Sequence, residues 1–210
     1  QLTTYTYKVA ATVENNLSFS APAGTTTLAS PIAGAYTIDF NFPTGGTNFT
    51  NFLDCNTALI NNGISGPVTI SVAGGNYPEV VTLTKIGGTS AVNTIKFTGP
   101  VSAEARVVVN PVGTSATNNY AIGLLGSDWV TFENIDVLDG GTSTANQIEY
   151  GYYLQSFNFL DGAENNTIKN ANITLGGGGT VPGFSHGVLQ STITSARQAN
   201  NNNKYLNLNI

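Results

Sequence analysis

Charge is what this 210-residue chain has least of: 7 Lys and Arg and 12 Asp and Glu make up 9% of the residues, where an average soluble protein carries about 25%. The seven cations are scattered and the net charge is −5. No basic patch can be assembled for a phosphate backbone, which excludes nucleic acid as a partner. A single cysteine, Cys55, rules out an intrachain disulfide; the thiol is expected in the core, and the fold must stand on packing and hydrogen bonds. His186 is the only histidine. With no cysteine or second imidazole near it in sequence, it has no partners for a transition-metal set, and a solvent-side turn is its expected place. No run of about 18 apolar residues occurs, so no segment is expected to span a membrane. The chain has no Met and begins with Gln, as a mature chain does after loss of a signal peptide. A secreted protein, extracellular or at the cell surface, is therefore expected.

With hydrophobic residues at 40% and charge so scarce, solubility falls to Asn, Thr, Ser and Gly. These suit strands and tight turns and are poor helix formers in runs such as Asn200 to Asn203. The composition predicts an all-β fold. Residues 1–46 alternate in places, as in Tyr5, Tyr7, Val9 and Leu17, Phe19, Ala21, and are punctuated at Pro22, Gly24, Pro31 and Gly34; they predict short N-terminal strands forming a lead-in or cap. From Asn48 to Ile60, Phe49, Phe52, Leu53, Leu59 and Ile60 recur at near-helical spacing and stop at Asn61-Asn62-Gly63. That spacing predicts one helix over 49–60, with Phe52 or Leu53 on the strand that carries Ile70. Short apolar strands follow around Ile70, Val81, Ile95 and Val108, with no crossover helices between them.

Self-similarity sets the topology. Leu124 to Asn134 aligns with Leu160 to Asn170 at a constant shift of 36 residues, Asp136-Val137 falls on Asn172-Ile173, and a third copy closes the chain as Tyr205 to Ile210. Upstream, Leu154-Gln155-Ser156 recurs as Leu189-Gln190-Ser191. Helix-free repeats at a near-constant period predict a parallel β-solenoid whose turns stack at roughly 4.8 Å. Asn134, Asn170 and Asn207 then fall in one corner column, where left-handed backbone and amide stacking suit Asn. Phe132, Ile168 and Tyr205 form the inward column. Glu133 lands beside Lys169, an opposite-charge pair that the alignment did not use.

Three features carry a resemblance over about residues 41–210: the amphipathic segment before Gly63-Ile64-Ser65-Gly66-Pro67-Val68, the Val72-Ala73-Gly74-Gly75-Asn76-Tyr77-Pro78-Glu79 motif, and the Gly126-Ser127-Asp128-Trp129-Val130-Thr131-Phe132-Glu133-Asn134 coil. The chain resembles right-handed parallel β-helix repeat proteins, particularly exported surface proteins of Bacteroidota-like bacteria, and the second motif is similar to the start of pectinesterases. The resemblance implies a right-handed parallel β-helix with an N-terminal capping helix over 47–210. It also implies further coils and a C-terminal sorting domain beyond residue 210, and handling by the type IX secretion machinery. In such proteins Tyr77-Pro78-Glu79 would be a structural turn.

Candidate chemistry is thin. Pectinesterase chemistry needs paired Asp with Arg and Gln on one face, and no such set appears; Gln155 and Gln190 read as a structural ladder. Asp128 and Glu164 share a repeat position with Asp161 nearby, so like charges stack and need compensation. A bound Ca²⁺ at Asp128, Asp161 and Glu164 would supply it; the alternative is solvated carboxylates splayed apart. Trp129, Tyr150 and Tyr153 are candidate platforms for sugar rings, although alternation turns at least one of Tyr152 and Tyr153 inward. The expected function is a non-enzymatic surface protein, an adhesin or matrix component, recognising an extracellular polysaccharide or cell-surface ligand, with loops such as 140–147 and 176–183 on display. The rival is the first part of a polysaccharide lyase or pectinesterase-like enzyme.

Overall fold

The structure, a computed structural model, describes residues 4–7, 10–13, 16–19, 23–26, 30–102, 105–114, 119–143, 145–157, 161–176, 185–191 and 199–210. Leu160 and most of the expected display loop 176–183 lie outside the described residues. The chain divides into two units, residues 1–31 and 32–210. In the first, β1 (Thr4–Tyr7) pairs antiparallel with β4 (Ala23–Thr26), and β2 (Ala10–Val13) with β3 (Asn16–Phe19). These are the short strands that the alternation predicts. The second unit starts at β5 (Ile32–Ile38), so residues 32–46, expected with the lead-in, belong to it.

In the second unit parallel strands stack in three ladders. The first runs from β5 through β7 (Ile64–Val72), β10 (Ile95–Thr98), β13 (Val130–Glu133) and β16 (Thr167–Thr174) to β18 (Lys204–Asn209), with β6 (Asn48–Phe49) on its β5 edge. The second stacks β8 (Gly75–Tyr77), β11 (Val107–Val109) and β14 (Ile135–Leu138) onto the far half of β16. The third comprises β9 (Val81–Thr84), β12 (Tyr120–Leu125), β15 (Tyr150–Gln155) and β17 (His186–Ser191). Each stretch of chain lays one strand on each ladder in turn. Because β16 runs through a corner, it joins the first two ladders into one curled parallel sheet of ten strands, a solenoid-like arrangement.

Period-2 alternation decides which side chains go inward. In β9, β10 and β13 buried and half-buried residues alternate without exception. The inward column Ile70, Phe97, Phe132, Ile168, Tyr205 follows the strand register. Within it the Phe97 and Phe132 rings are stacked, centroids 4.8 Å apart and 3° from parallel. Each such side chain is worth roughly 1.5–3 kcal/mol buried rather than exposed. The corner column is also as expected. Asn134, Asn170 and Asn207 have φ of 57°, 56° and 51°, the Asn207 amide donates to Asn170 Oδ1 at 3.0 Å, and Asn134 Nδ2 donates to the Gly99 carbonyl at 3.2 Å. Glu133 pairs with Lys169 at 3.0 Å and also with Lys96.

One expected register shifts by a residue. Gln155 faces Ser191, and Gln190 faces Leu154; the step from β15 to β17 has the 36-residue spacing of the main repeat, so the two glutamines do not stack.

The helix α1 spans Phe52–Asn62, three residues later than the spacing predicts, because Asn48–Phe49 is strand and Asn51 is the cap. Asn51 Oδ1 accepts from Asp54 N at 2.8 Å, and the Glu79 carboxylate accepts from the Phe52 and Leu53 N–H groups, each at 3.0 Å. An anion astride the positive end of the helix ties α1 to the β8–β9 turn. Tyr77 supports that turn from below, its hydroxyl donating to the Ala73 carbonyl at 2.8 Å. The helix packs mainly on β9, the edge strand of the third ladder, where Asn56 Nδ2 donates to the Thr82 carbonyl at 3.1 Å. Phe52, Cys55 and Leu59 enter the core, whereas Leu53 is 65% exposed. Phe52 shares the core with Ile70 but meets the rings of Tyr77 and Phe97. Burial raises the pKa of the Cys55 thiol, with Asp54 and Glu79 adding to the shift, so it stays a protonated core group.

Replacing Asn170 separates the two parts of the corner. Asn170→Ala is expected to destabilise by about 2 kcal/mol through left-handed strain and the lost amide contact, and Asn170→Gly by roughly half of that, since glycine removes the strain. Urea unfolding midpoints of the two variants check this.

Candidate functional site

The three aromatic candidates do not form one platform. Tyr150 and Tyr153 sit on β15 of the third ladder, whereas Trp129 precedes β13 on the first. Tyr153 is 6% exposed. Its ring lies between Tyr120 and Tyr150, centroids 5.5 and 5.2 Å away, both near parallel, and Tyr150 in turn stacks on exposed His186 at 5.8 Å. Gly123 lets this stack close up, because a Cβ there would lie 2.5 Å from the Tyr120 ring. Tyr153 is thus a covered member of an aromatic ladder and offers no free face to a sugar. Tyr152 is the inward member of the pair, fully buried, with its hydroxyl donating to the Ile135 carbonyl at 2.9 Å.

The acidic trio is brought into one neighbourhood, but its compensation comes from the chain itself. Lys85 Nζ, on the strand-end side of β9, reaches both Asp161 oxygens at 2.9 Å. Asp128 Oδ1 accepts from the Glu164 backbone N–H at 2.7 Å. Among the described residues no three His, Cys, Asp or Glu groups are gathered to hold a metal ion. Burial pushes the Asp128 carboxyl up to about 6; the Glu164 N–H and Lys85 oppose the shift, and the Asp161 and Glu164 charges add to it.

A second polar network was not legible as a site. Arg106, before β11, forks onto Asp136 of β14, with Nε to Oδ2 at 2.9 Å and Nη2 to Oδ1; the same Nη2 donates to the Asn170 carbonyl at 2.7 Å. Asp136 also accepts from the Asn172 backbone N–H at 2.7 Å. Burial works against the charge on Asp136, but the Arg106 and Asn172 hydrogen bonds prevail and hold its pKa below the usual carboxylate range. The network floors a groove of about 660 Å³ edged by Val101, Asn134, Asn170 and Asn207, and its charged groups are spent on one another. The one sequence clue was the repeat itself, which set Asp136 where the next coil has Asn172; that Arg106 reaches it needed the fold.

A further open groove among the described residues lies beside Trp129. Trp129, Asn165 and Asn202 form a second left-handed column, with φ of 61°, 58° and 57°. For Trp that conformation costs about 1–2 kcal/mol. The column walls a groove of about 510 Å³ whose other side is Thr131, Thr167 and Lys204. Here the amides of Asn165 and Asn202 and the hydroxyls of Thr131 and Thr167 make no hydrogen bond among the described residues, unlike the amides of the first column. Lys204 is exposed and makes no ion pair among them.

No protein-family profile matches the sequence, and neither does a curated protein or a solved structure.

Removing Arg106 is expected to leave Asp136 buried and unpaired, so Arg106→Ala costs roughly 2–4 kcal/mol in denaturant unfolding. Asp128 behaves in the opposite sense. With its folded pKa at about 6 and an unfolded value of about 3.9, the folded state holds the proton longer, so its contribution falls as pH rises between these values. Asp128→Asn, which keeps the acceptor for the Glu164 N–H, should raise the thermal midpoint at pH 7 and lose that advantage below about pH 4.

Proposed function

We propose that residues 32–210 form coils of a right-handed parallel β-helix of the exported, cell-surface type, working without catalysis as an adhesin or matrix component that recognises polysaccharide. One observation carries this reading. Apart from exposed Lys204, most of the cations on the strands are neutralised coil against coil: Lys96 and Lys169 with Glu133 on the first ladder, Arg106 with Asp136 on the second, and Lys85, at the end of β9, with Asp161. What stays available to a partner is mostly neutral amide and hydroxyl, the chemistry that recognises sugars. The Tyr77-Pro78-Glu79 motif supports the same reading, since its carboxylate is engaged at a helix N-terminus.

The enzyme reading rests on Arg106 and Asp136, the one carboxylate and guanidinium joined among the described residues. It is tested with the binding reading in one assay. The chain is incubated with pectin, polygalacturonate and alginate, with and without Ca²⁺, while retention on the polymer, unsaturated products and released methanol are followed. The expected result is retention without product. Turnover abolished by Asp136→Asn would make the lyase or esterase the function; retention that requires Ca²⁺ and is lost in Glu164→Gln would restore a metal role for the acidic trio.

A further inference from the structure

Trp129 stands where the fold prefers Asn. Its two counterparts in the next coils, Asn165 and Asn202, meet the same left-handed corner with the residue type that tolerates it best. An indole there is strained, and it is not repaid by core burial: Trp129 is half-buried, outside the hydrophobic core, and no other ring packs on it among the described residues. Backbone strain kept at a surface position points to use of the side chain.

Its surroundings say what that use is. The groove beside the indole presents amides from Asn165 and Asn202 and hydroxyls from Thr131 and Thr167, with Lys204 at its far end. In the first Asn column the same backbone corner has its amides tied up, Asn134 to Gly99 and Asn207 to Asn170. Two corners alike in backbone thus differ in side-chain engagement, and only the one headed by Trp129 is left open. Coils stack at roughly 4.8 Å, so the groove repeats its polar groups at about the length of one sugar ring.

We propose that this groove is an oligosaccharide site, in which a chain of at least three sugar rings lies along the coil stack. One ring stacks on the Trp129 indole, the next ring meets Asn165 and Thr167, and Lys204 favours a carboxylate-bearing sugar at the far end. This rests on the polysaccharide reading above and assigns its location and polarity. Aromatic stacking supplies most of the affinity; the exposed lysine supplies a charge preference that salt weakens.

Trp129 is the only tryptophan of the chain, so its fluorescence reports on the site directly. The chain is titrated with tetragalacturonate and with neutral cellotetraose, following emission and heat. Tetragalacturonate is expected to shift the emission to shorter wavelength. Trp129→Asn should weaken binding roughly tenfold or more while its thermal midpoint stays within about 2 °C of the parent or rises, since Asn relieves the corner. Lys204→Gln should cost about threefold for the acidic sugar and leave the neutral one unchanged. Binding that leaves the emission and the Trp129→Asn affinity untouched would place the ligand elsewhere, overturning the groove while the polysaccharide reading stands. Absence of binding to these probes and to the polymers above would overturn both. A large fall in midpoint for Trp129→Asn with binding retained would make the indole a packing residue.

Discussion

Parallel strands stacked in register put residue upon residue at roughly 4.8 Å, and every side chain of the second unit must live with its copy above and below. Apolar residues gain from this, as the parallel rings of Phe97 and Phe132 illustrate. Like charges lose, because their repulsion is not diluted by distance. The scarcity of charge and the wealth of Asn and Thr follow from the stacking rule. An amide is donor and acceptor at once and can stack on itself, which a carboxylate cannot do without a counter-ion.

The charges that do occur are spent on holding coils together. Lys96, Glu133 and Lys169 bind consecutive coils of the first ladder, and Arg106 reaches from its own coil to Asp136 and on to the Asn170 carbonyl in the next. Glu79 does the same for the helix, holding the first N–H groups of α1. These links lie between elements distant in sequence, so they tie the stack along its axis, where the strand hydrogen bonds already run, and resist shear between neighbouring coils.

Much of this was legible because the fold repeats. A constant shift between Leu124 to Asn134 and its copy fixed the inward column, the Asn corner and the Glu133–Lys169 pair before any coordinates. What the repeat could not give were contacts between unlike positions. Arg106 has no copy that marks its reach to Asp136, and Lys85 lies too far in sequence from Asp161 for pattern to join them. Leu53 and Phe52 are adjacent apolar residues, and only the caps from Asn51 and Glu79 decide that Phe52 turns inward. Tyr153 is covered for a similar reason: alternation said only that at least one of Tyr152 and Tyr153 turns inward, and the rings of Tyr120 and Tyr150, which cover Tyr153, come from a neighbouring strand and from its own. The strain at Trp129 was hidden as well, since the aligned Asn showed only that the position was a corner.

The alternation Lys96, Glu133, Lys169 also bears on how such a chain can change over generations. Solenoids lengthen and shorten by duplicating or losing whole turns. Loss of the turn that carries Glu133 would close the gap between Lys96 and Lys169, leaving two ammonium groups as neighbours with no anion between them. Duplication of that turn would set two glutamates face to face. The column therefore works as a parity check on the genome's copying of turns: an unpaired gain or loss is penalised at once, and only a second substitution, or a change of two turns together, restores the balance.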